Sequence, residues 1–311
     1  MTDRMARQTK DNIHRQTCRI CPRSCPTGGQ GYCRAGSGYA VAAVCLHRGE
    51  EPPVSGPRGI CNVFFARCNL QCVYCQNFQI SRNRGPLPSS LDSLEKIVDR
   101  IETILDRGAK SVGFVSPSHR IPRMCRIIRE LRRRGANPAM VMNTGCYDRA
   151  ETIAGLAGEI DLYLPDLKYR DPELAREYSG AENYPEVAAA ALREMYRQKG
   201  AELVLDDEGA ARSGLIVRHL VLPGAVENSR ACLRFLAEEL SHDLHISLMS
   251  QYHPTPAVRD HPDLGRTLRE EEYGAVLEEM ERLGFTRGWV QELDSPGSYL
   301  PDFSRPAVFA D

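Results

Sequence analysis

The densest chemistry in the sequence is CNLQCVYC, residues 68–75, where three cysteines stand at the spacing C-x3-C-x2-C. Three thiolates this close on one loop can hold three corners of a cubane iron–sulfur cluster, whereas four thiolates close every iron. The fourth iron is then open to an external amine and carboxylate, which turns an electron carrier into a catalyst. The competing reading is a zinc site that borrows a fourth ligand from elsewhere. Zinc sites usually pair CxxC units across a longer linker, which this segment lacks. Tyr74, just before the last cysteine, also suits a zinc knuckle poorly, so the cluster is the leading reading.

Upstream, CRICPRSCPTGGQGYC (residues 18–33) carries four more cysteines, Cys18, Cys21, Cys25 and Cys33, at C-x2-C-x3-C-x7-C. Four thiolates among turn-forming Gly and Pro would repel one another and stay disordered unless a metal neutralised them. Metal binding is therefore expected there, with zinc and a second iron–sulfur cluster both open. Zinc would staple a coreless segment to the rest of the fold, and a cluster could relay electrons. Cys45, Cys61, Cys125, Cys146 and Cys232 are isolated and read as small buried hydrophobes. Cys61 lies only seven residues before Cys68.

Nine of the 12 cysteines fall between residues 18 and 75 of 311, a crowding that no structural-disulfide scaffold would show. The first residues are polar and charged, without the apolar core of a secretory signal. No run approaches the roughly 20 apolar residues needed to cross a bilayer. The expectation is a soluble, cytoplasmic protein with no membrane partner, where grouped thiols stay reduced and serve as ligands. With 40 Lys and Arg against 41 Asp and Glu, and 42% hydrophobic residues, the chain is an ordinary globular one. That balance disfavours nucleic acid, whose binding is marked by a basic excess. The one basic run, Arg129 to Arg134 (RELRRR), reads as the solvated end of a helix.

Residues 1–60 show little periodicity and read as an irregular Cys-rich extension. From residue 62, short apolar runs alternate with amphipathic stretches, the pattern of repeated βα units. Strands are predicted at 62–66, 111–115, 138–143, 160–164, 215–222 and 244–249. Helices are predicted at about 91–107, 120–134, 148–157, 184–199, 228–240 and 269–283. Six such units imply a parallel sheet, either an open doubly wound sheet or a closed or partial barrel, with ligands at the carboxyl ends of the strands. The unusual polar groups fall there: Cys68 to Cys75, Ser116 to His119, Asn143 to Gly145, Asp166 to Lys168, Pro223-Gly224 and Gln251 to His253.

The C-x3-C-x-aromatic-C loop after the first strand of such a chain resembles the radical S-adenosylmethionine (SAM) superfamily. The resemblance spans residues 60–300 and is to the pyruvate formate-lyase activating-enzyme branch, in particular to activating-enzyme-like iron–sulfur proteins. The matching segments are FFARCNLQCVYCQN (64–77), VSPSH (115–119), DLYLPDLKY (161–169), RHLVLPG (218–224) and SLMSQYHP (247–254). It implies a partial (β/α)6 TIM-type barrel and a [4Fe–4S] cluster on Cys68, Cys72 and Cys75. It also implies reductive cleavage of SAM to a 5′-deoxyadenosyl radical that abstracts hydrogen. A flavodoxin- or ferredoxin-type electron donor is implied as partner.

The resemblance carries over residue by residue. Asp166 and Lys168 match a DLK motif whose lysine lies near the SAM carboxylate, and are the catalytic candidates; a plain ion pair of Lys168 with Asp166 or Asp171 is the alternative. Asn143 stands where relatives hold the ribose hydroxyls, or caps a helix. Ser116 and His119 stand where relatives contact the SAM amine, although the usual Gly-Gly-Glu is absent. His253 matches a Tyr-His near adenine or substrate, or is a packed histidine. Arg218 and His219 point to opposite faces of one strand, so only one enters the barrel; Arg218 is the choice.

Two features depart from the activating enzymes. Gly59-Ile60-Cys61 has cysteine where they carry arginine, and the extra cysteines lie upstream of the radical motif rather than downstream. The dense patch His47 to Pro53 (HRGEEPP) reads as a loop against the barrel rim. The expected organisation is a metal-binding extension (1–60), the partial barrel (61–284) and a tail (285–311) covering its open side. The expected reaction is hydrogen abstraction from a protein or peptide, by analogy with glycyl-radical activation. A radical SAM enzyme acting on a small molecule, and a non-catalytic metal-binding or electron-carrier protein, are the alternatives.

Overall fold

The runs NVFFA, SVGFV, AMVMN and LYL are mostly apolar because strands buried on both faces have no solvent-facing side to show. In the computed structural model, which describes residues 17–27, 30–34, 36–85, 91–293, 300–305 and 308–309, these runs form the middle of one sheet. In chain order the elements begin with β1 (Val41–His47), the one-turn α1 (Pro52–Ser55), β2 (Ile60–Phe65), the one-turn α2 (Phe78–Ser81), α3 (Leu94–Leu105) and β3 (Ser111–Val115). Next come α4 (Ile121–Arg133), β4 (Ala139–Thr144), α5 (Ala150–Ala154), β5 (Leu162–Pro165), α6 (Pro172–Ser179) and α7 (Tyr184–Lys199). The chain continues with β6 (Val204–Leu205), β7 (Ala211–Leu220), α8 (Val226–Glu239), β8 (His245–Met249), α9 (Glu270–Arg282) and β9 (Gly288–Val290).

Strands β2, β3, β4, β5, β7 and β8 pair in that order, all parallel. They are the six strands expected, and the sheet they build is not closed. Three further strands escape the sequence reading. β1 pairs antiparallel with β2 at one edge, so the first sixty residues are not irregular throughout. Its Val41 and Val44 point into the core. β9 adds a seventh parallel strand beyond β8, and β6 forms a short antiparallel flap on β7. Beyond β9 the tail reaches back to the opposite side. Phe303 meets Phe64 of β2 edge-on at 5.2 Å, and Phe309 lies 3.9 Å from the His47 ring of β1.

The helices cover the sheet with one apolar stripe each. On α4 this stripe is Met124, Ile127, Ile128 and Leu131, all fully buried. Pro122 opens that helix, where a missing N–H costs nothing. Helix α6, unforeseen, starts on Asp171, whose carboxylate accepts the amides of Glu173 and Leu174, and stops at Gly180 in the left-handed region. The helix expected over 148–157 is only Ala150–Ala154, broken by Gly155 and Gly158. The basic run does end a helix, α4, and its charges are matched by carboxylates: Arg129 and Arg132 pair with Glu159, Arg133 with Glu130, and Arg134 with Asp99, Glu102 and Glu130. Among the described residues no helix is long and apolar enough to cross a membrane.

Candidate active site at the carboxyl ends of the strands

Three non-glycine residues just past strand ends hold a left-handed backbone: Arg67 after β2 (φ 71°), Ser116 after β3 (φ 53°) and Cys146 after β4 (φ 60°). Each such residue costs on the order of 1–3 kcal/mol unless its surroundings impose it, and such strain gathers where loops are shaped for a task. Here the restraints are visible. Arg67 donates to the carbonyls of Arg82 and Gly85, while its own N–H bonds Ile80. Asn83 then accepts from the Cys68 N–H and donates to the Cys68 carbonyl, so the cysteine loop is wired to the chain that follows it.

Cys68, Cys72 and Cys75 all line one cavity of about 400 Å³. Each sulfur receives a hydrogen bond: Ser179 Oγ to Cys72 at 3.0 Å, Ser81 Oγ to Cys75 at 3.3 Å and the Leu70 N–H to Cys68 at 3.4 Å. Behind Ser179 runs a buried hydroxyl chain, with Tyr169 OH 2.7 Å from Ser179 Oγ and Tyr74 OH 2.6 Å from Tyr169 OH. Burial, then the neighbouring Cys72 charge, pushes the thiols of Cys68 and Cys75 up, while Lys168 opposes this.

Opposite the cysteines, Lys168 Nζ donates to Asp166 at 2.8 Å, and Arg218 reaches Asp166 at 2.7 Å, Glu50 at 3.0 Å and Asn143 Oδ1 at 2.7 Å. Burial works to raise the Asp166 carboxyl, but Arg218 and Lys168 outweigh it and hold it below its ordinary value. Burial lowers Lys168, yet Asp166 and Cys72 more than offset this and keep it an ammonium ion. The fully buried Tyr184 pins the loop. Its oxygen accepts the Lys168 N–H, and its hydroxyl lies 2.8 Å from the Asp166 carbonyl and 3.0 Å from that of Gly145. Any side chain at Gly145 would meet Leu70 at 3.1 Å and the Lys168 stem at 3.4 Å.

The HRGEEPP patch is part of this cavity. Glu50 is shared between Arg218 and the Asn62 amide, 3.0 Å away. That amide fits only because residue 113 is glycine, since a Cβ there would lie 2.2 Å from Asn62 Oδ1. Glu51 is buried with one carboxyl oxygen unpartnered. Burial raises its carboxyl against the pull of Arg218. His47, desolvated and near Arg218, falls to about 4 and is neutral.

Of the residues expected from sequence, Ser116, Asn143, Asp166, Lys168 and Arg218 line the cavity together with the three cysteines. His119 and His253 do not. His119 is buried behind the loop with Nε2 3.0 Å from the Ala66 carbonyl, and desolvation takes it to about 4. His253 is exposed outside the cavity, whereas its neighbour Tyr252 is buried. His219 faces away from the cavity, between the Leu167 carbonyl and Ser229. Sequence reasoning missed Glu50, Glu51, Ser179 and Tyr184. Only the charge density of HRGEEPP signalled the first two.

The four upstream cysteines share one neighbourhood. Burial, then the charges of Cys33, Cys18 and Cys25, push the Cys21 thiol to about 11. The Tyr32 N–H donates to Cys25 Sγ at 3.1 Å, and the Cys18 N–H to the Cys25 carbonyl at 2.7 Å. This segment docks through Arg23, which donates to the carbonyls of Asn69 and Gly180, and through the Cys21 carbonyl, which accepts from Arg149. Among the described residues no group of three or more Cys, His, Asp or Glu side chains is already gathered as around a single metal ion.

Three cavity-lining thiols from one loop, each with a donor at its sulfur, suit the corners of an iron–sulfur cluster. Hydrogen bonds to the sulfurs are among the levers by which proteins tune such clusters. The family model of the radical SAM superfamily matches residues 62–204. The fold is that of radical SAM enzymes. Methylornithine synthase (PylB) superposes with TM-score 0.51 at 16% identity over 74% of this chain and 63% of that one. HydG, a maturase of the [FeFe]-hydrogenase, gives 0.51 at 11% over 74% and 50%. The chain therefore spans less than two thirds of either enzyme. The uncharacterized protein MJ0674 of Methanocaldococcus jannaschii is 27% identical over 280 residues, 86% of this chain and 75% of its own. Residues 62–204 are thus a radical SAM domain, the kind whose enzymes use a [4Fe–4S] cluster and SAM.

Proposed function

We propose that the protein holds a [4Fe–4S] cluster on Cys68, Cys72 and Cys75, binds SAM beside it, and abstracts a hydrogen atom from a protein or peptide, as glycyl-radical activating enzymes do. When bound there, the cluster and SAM supply a 5′-deoxyadenosyl radical by one-electron reduction and cleavage of the C5′–S bond. The observation that carries the reading is the convergence of one loop's three thiols with Asp166, Lys168, Arg218 and Asn143 on a single cavity.

The chain's own groups bind and orient. Lys168 offers a desolvated ammonium to a carboxylate, a charge-assisted contact far stronger than a surface pair. Asp166 aims Lys168 and Arg218. Asn143 gives its oxygen to Arg218 and so has its amide N–H groups left for ribose hydroxyls. Ser116 adds a hydroxyl at the same rim. Leu220, Met249, Trp289 and Phe309 line the cavity with apolar surface that excludes water.

A volume of about 400 Å³ lies at the low end of the range for one drug-sized ligand. SAM alone occupies such a space, which favours a target carbon brought in on a protruding peptide segment. A small-molecule substrate is the second reading, favoured by Trp289, Pro301 and Phe309 at the mouth and by the free Glu51 oxygen. In either case the proposal includes a cytoplasmic setting, a one-electron donor, and a zinc ion or second cluster on Cys18, Cys21, Cys25 and Cys33.

The test is anaerobic incubation of the reconstituted protein with SAM, reductant and candidate glycyl-radical partners. The expected results are 5′-deoxyadenosine and a glycyl doublet by electron paramagnetic resonance. SAM consumption without a doublet favours the small-molecule reading. No 5′-deoxyadenosine at all leaves only the metal-binding or electron-carrier alternative.

A further inference from the structure

A second cavity lies on the other side of the cysteine loop. Its lining includes Cys72, Gln71 and Val73 from the loop, with Arg34, Arg82 and Arg84 around them. Cys72 lines both cavities, so one residue separates the interior site from this outer groove. All three arginines are exposed. Among the described residues none of them forms an ion pair, and no Asp or Glu lines the groove. The contrast with the helix-end run is sharp, because Arg129, Arg132, Arg133 and Arg134 are each matched to a carboxylate. On a chain of net charge −1, these three arginines, without a carboxylate partner among the described residues, are a local positive excess beside Cys72.

The floor of the groove is held firm. Gln71 donates to the carbonyls of Leu70 and Ser81 and accepts the Asn83 N–H, and Asn83 also donates to the Tyr32 carbonyl. A rigid, basic, concave surface one residue from a buried site suits a partner that must come close without entering. We propose that this groove docks an acidic one-electron carrier protein, which loses one electron across Cys72 to the cluster held on the other side. The assignment rests on the proposed cluster. Redox complexes of this kind have small interfaces, and complementary charge raises their association rate by about 10- to 1000-fold at low salt.

The experiment uses the anaerobically reconstituted full chain and reduced flavodoxin as the acidic probe, comparing wild type with Arg34→Glu/Arg82→Glu/Arg84→Glu and with the control Arg126→Glu on α4. Binding is followed by fluorescence anisotropy of labelled oxidised flavodoxin across a salt series, and electron transfer by stopped-flow bleaching of the cluster. The triple variant is expected to bind and bleach at least about tenfold more weakly at low salt, with a flattened salt dependence. Arg126→Glu should match wild type. Photoreduced deazaflavin, a small neutral reductant, should bleach all three proteins equally. Unchanged binding and bleaching in the triple variant, or wild-type binding that ignores salt, overturns the docking face. Failure of deazaflavin-reduced wild type to cleave SAM would instead overturn the enzymatic reading and leave the binding comparison to decide this one.

Discussion

Replacing Arg218 by methionine removes the cation that Asp166, Glu50 and Asn143 share at 2.7, 3.0 and 2.7 Å. Breaking a buried ion pair from one side costs about 3–5 kcal/mol, because the carboxylate left behind is neither solvated nor paired. Two partial compensations remain: Asp166 keeps Lys168, and Glu50 keeps the Asn62 amide. The expected loss is therefore at the lower end, about 3 kcal/mol. Arg218→Lys keeps the charge but not the fork that serves three acceptors, and should lose about 1–2 kcal/mol. The assay is anaerobic urea denaturation followed by circular dichroism, with midpoints compared at constant m-value.

The pH dependence carries a sign. In the wild type Asp166 is held below its ordinary value of 3.8, so its contribution is complete above that pH and fades only as pH falls through the depressed value. In Arg218→Met burial dominates and the carboxyl rises. The variant's ionisation penalty then grows as pH climbs above about 4. Its deficit relative to wild type should be larger at pH 8 than at pH 5. A deficit under about 0.5 kcal/mol, or one independent of pH, would refute the network argument.

Cys68→Ala/Cys72→Ala/Cys75→Ala should lose the cluster's iron, sulfide and visible absorption, and keep only metal held by Cys18, Cys21, Cys25 and Cys33; full iron retention in metal analysis would contradict the ligand assignment. Ser179→Ala deletes the hydrogen bond at Cys72, which favours the more negative reduced state. The cluster potential should fall by about 50 mV, the one-electron equivalent of roughly 1 kcal/mol, and a redox titration showing no shift would count against it. Glu51→Gln removes a buried carboxyl raised by desolvation. Its thermal midpoint should gain on wild type as pH rises above 4.5 and should match it at or below that pH; equal midpoints at pH 8 would refute the buried-acid description.

The parallel strands were legible because a strand buried on both faces is a mostly apolar run, and β2 to β5 are that, with every residue buried. β1 carries a comparable signal in VAAVCLH, but it is masked by the Gly, Pro and Cys on both sides. β9 is three residues, two of them exposed and one half-buried, and offers no signal at all. In the site, the groups that follow a strand directly (Ser116, Asn143, Asp166, Lys168) could be picked by position. The twofold alternation of a strand separated Arg218 from His219. The Glu50–Arg218 pair could not be seen, since 168 residues separate its members and neither lies in a motif that names the other. His253 lies outside the cavity, exposed, while the larger apolar body of its neighbour Tyr252 is the one buried.

Cys72, standing between the cavity and the groove, is approachable from two directions, and what reaches it need not be a partner protein. Dissolved oxygen and peroxide meet the same single layer. Thiolate oxidation follows exposure as well as charge, and Cys68 and Cys75 line only the inner cavity. On brief exposure to air, peptide mass spectrometry should find sulfenic and sulfinic acid at Cys72 before either neighbour.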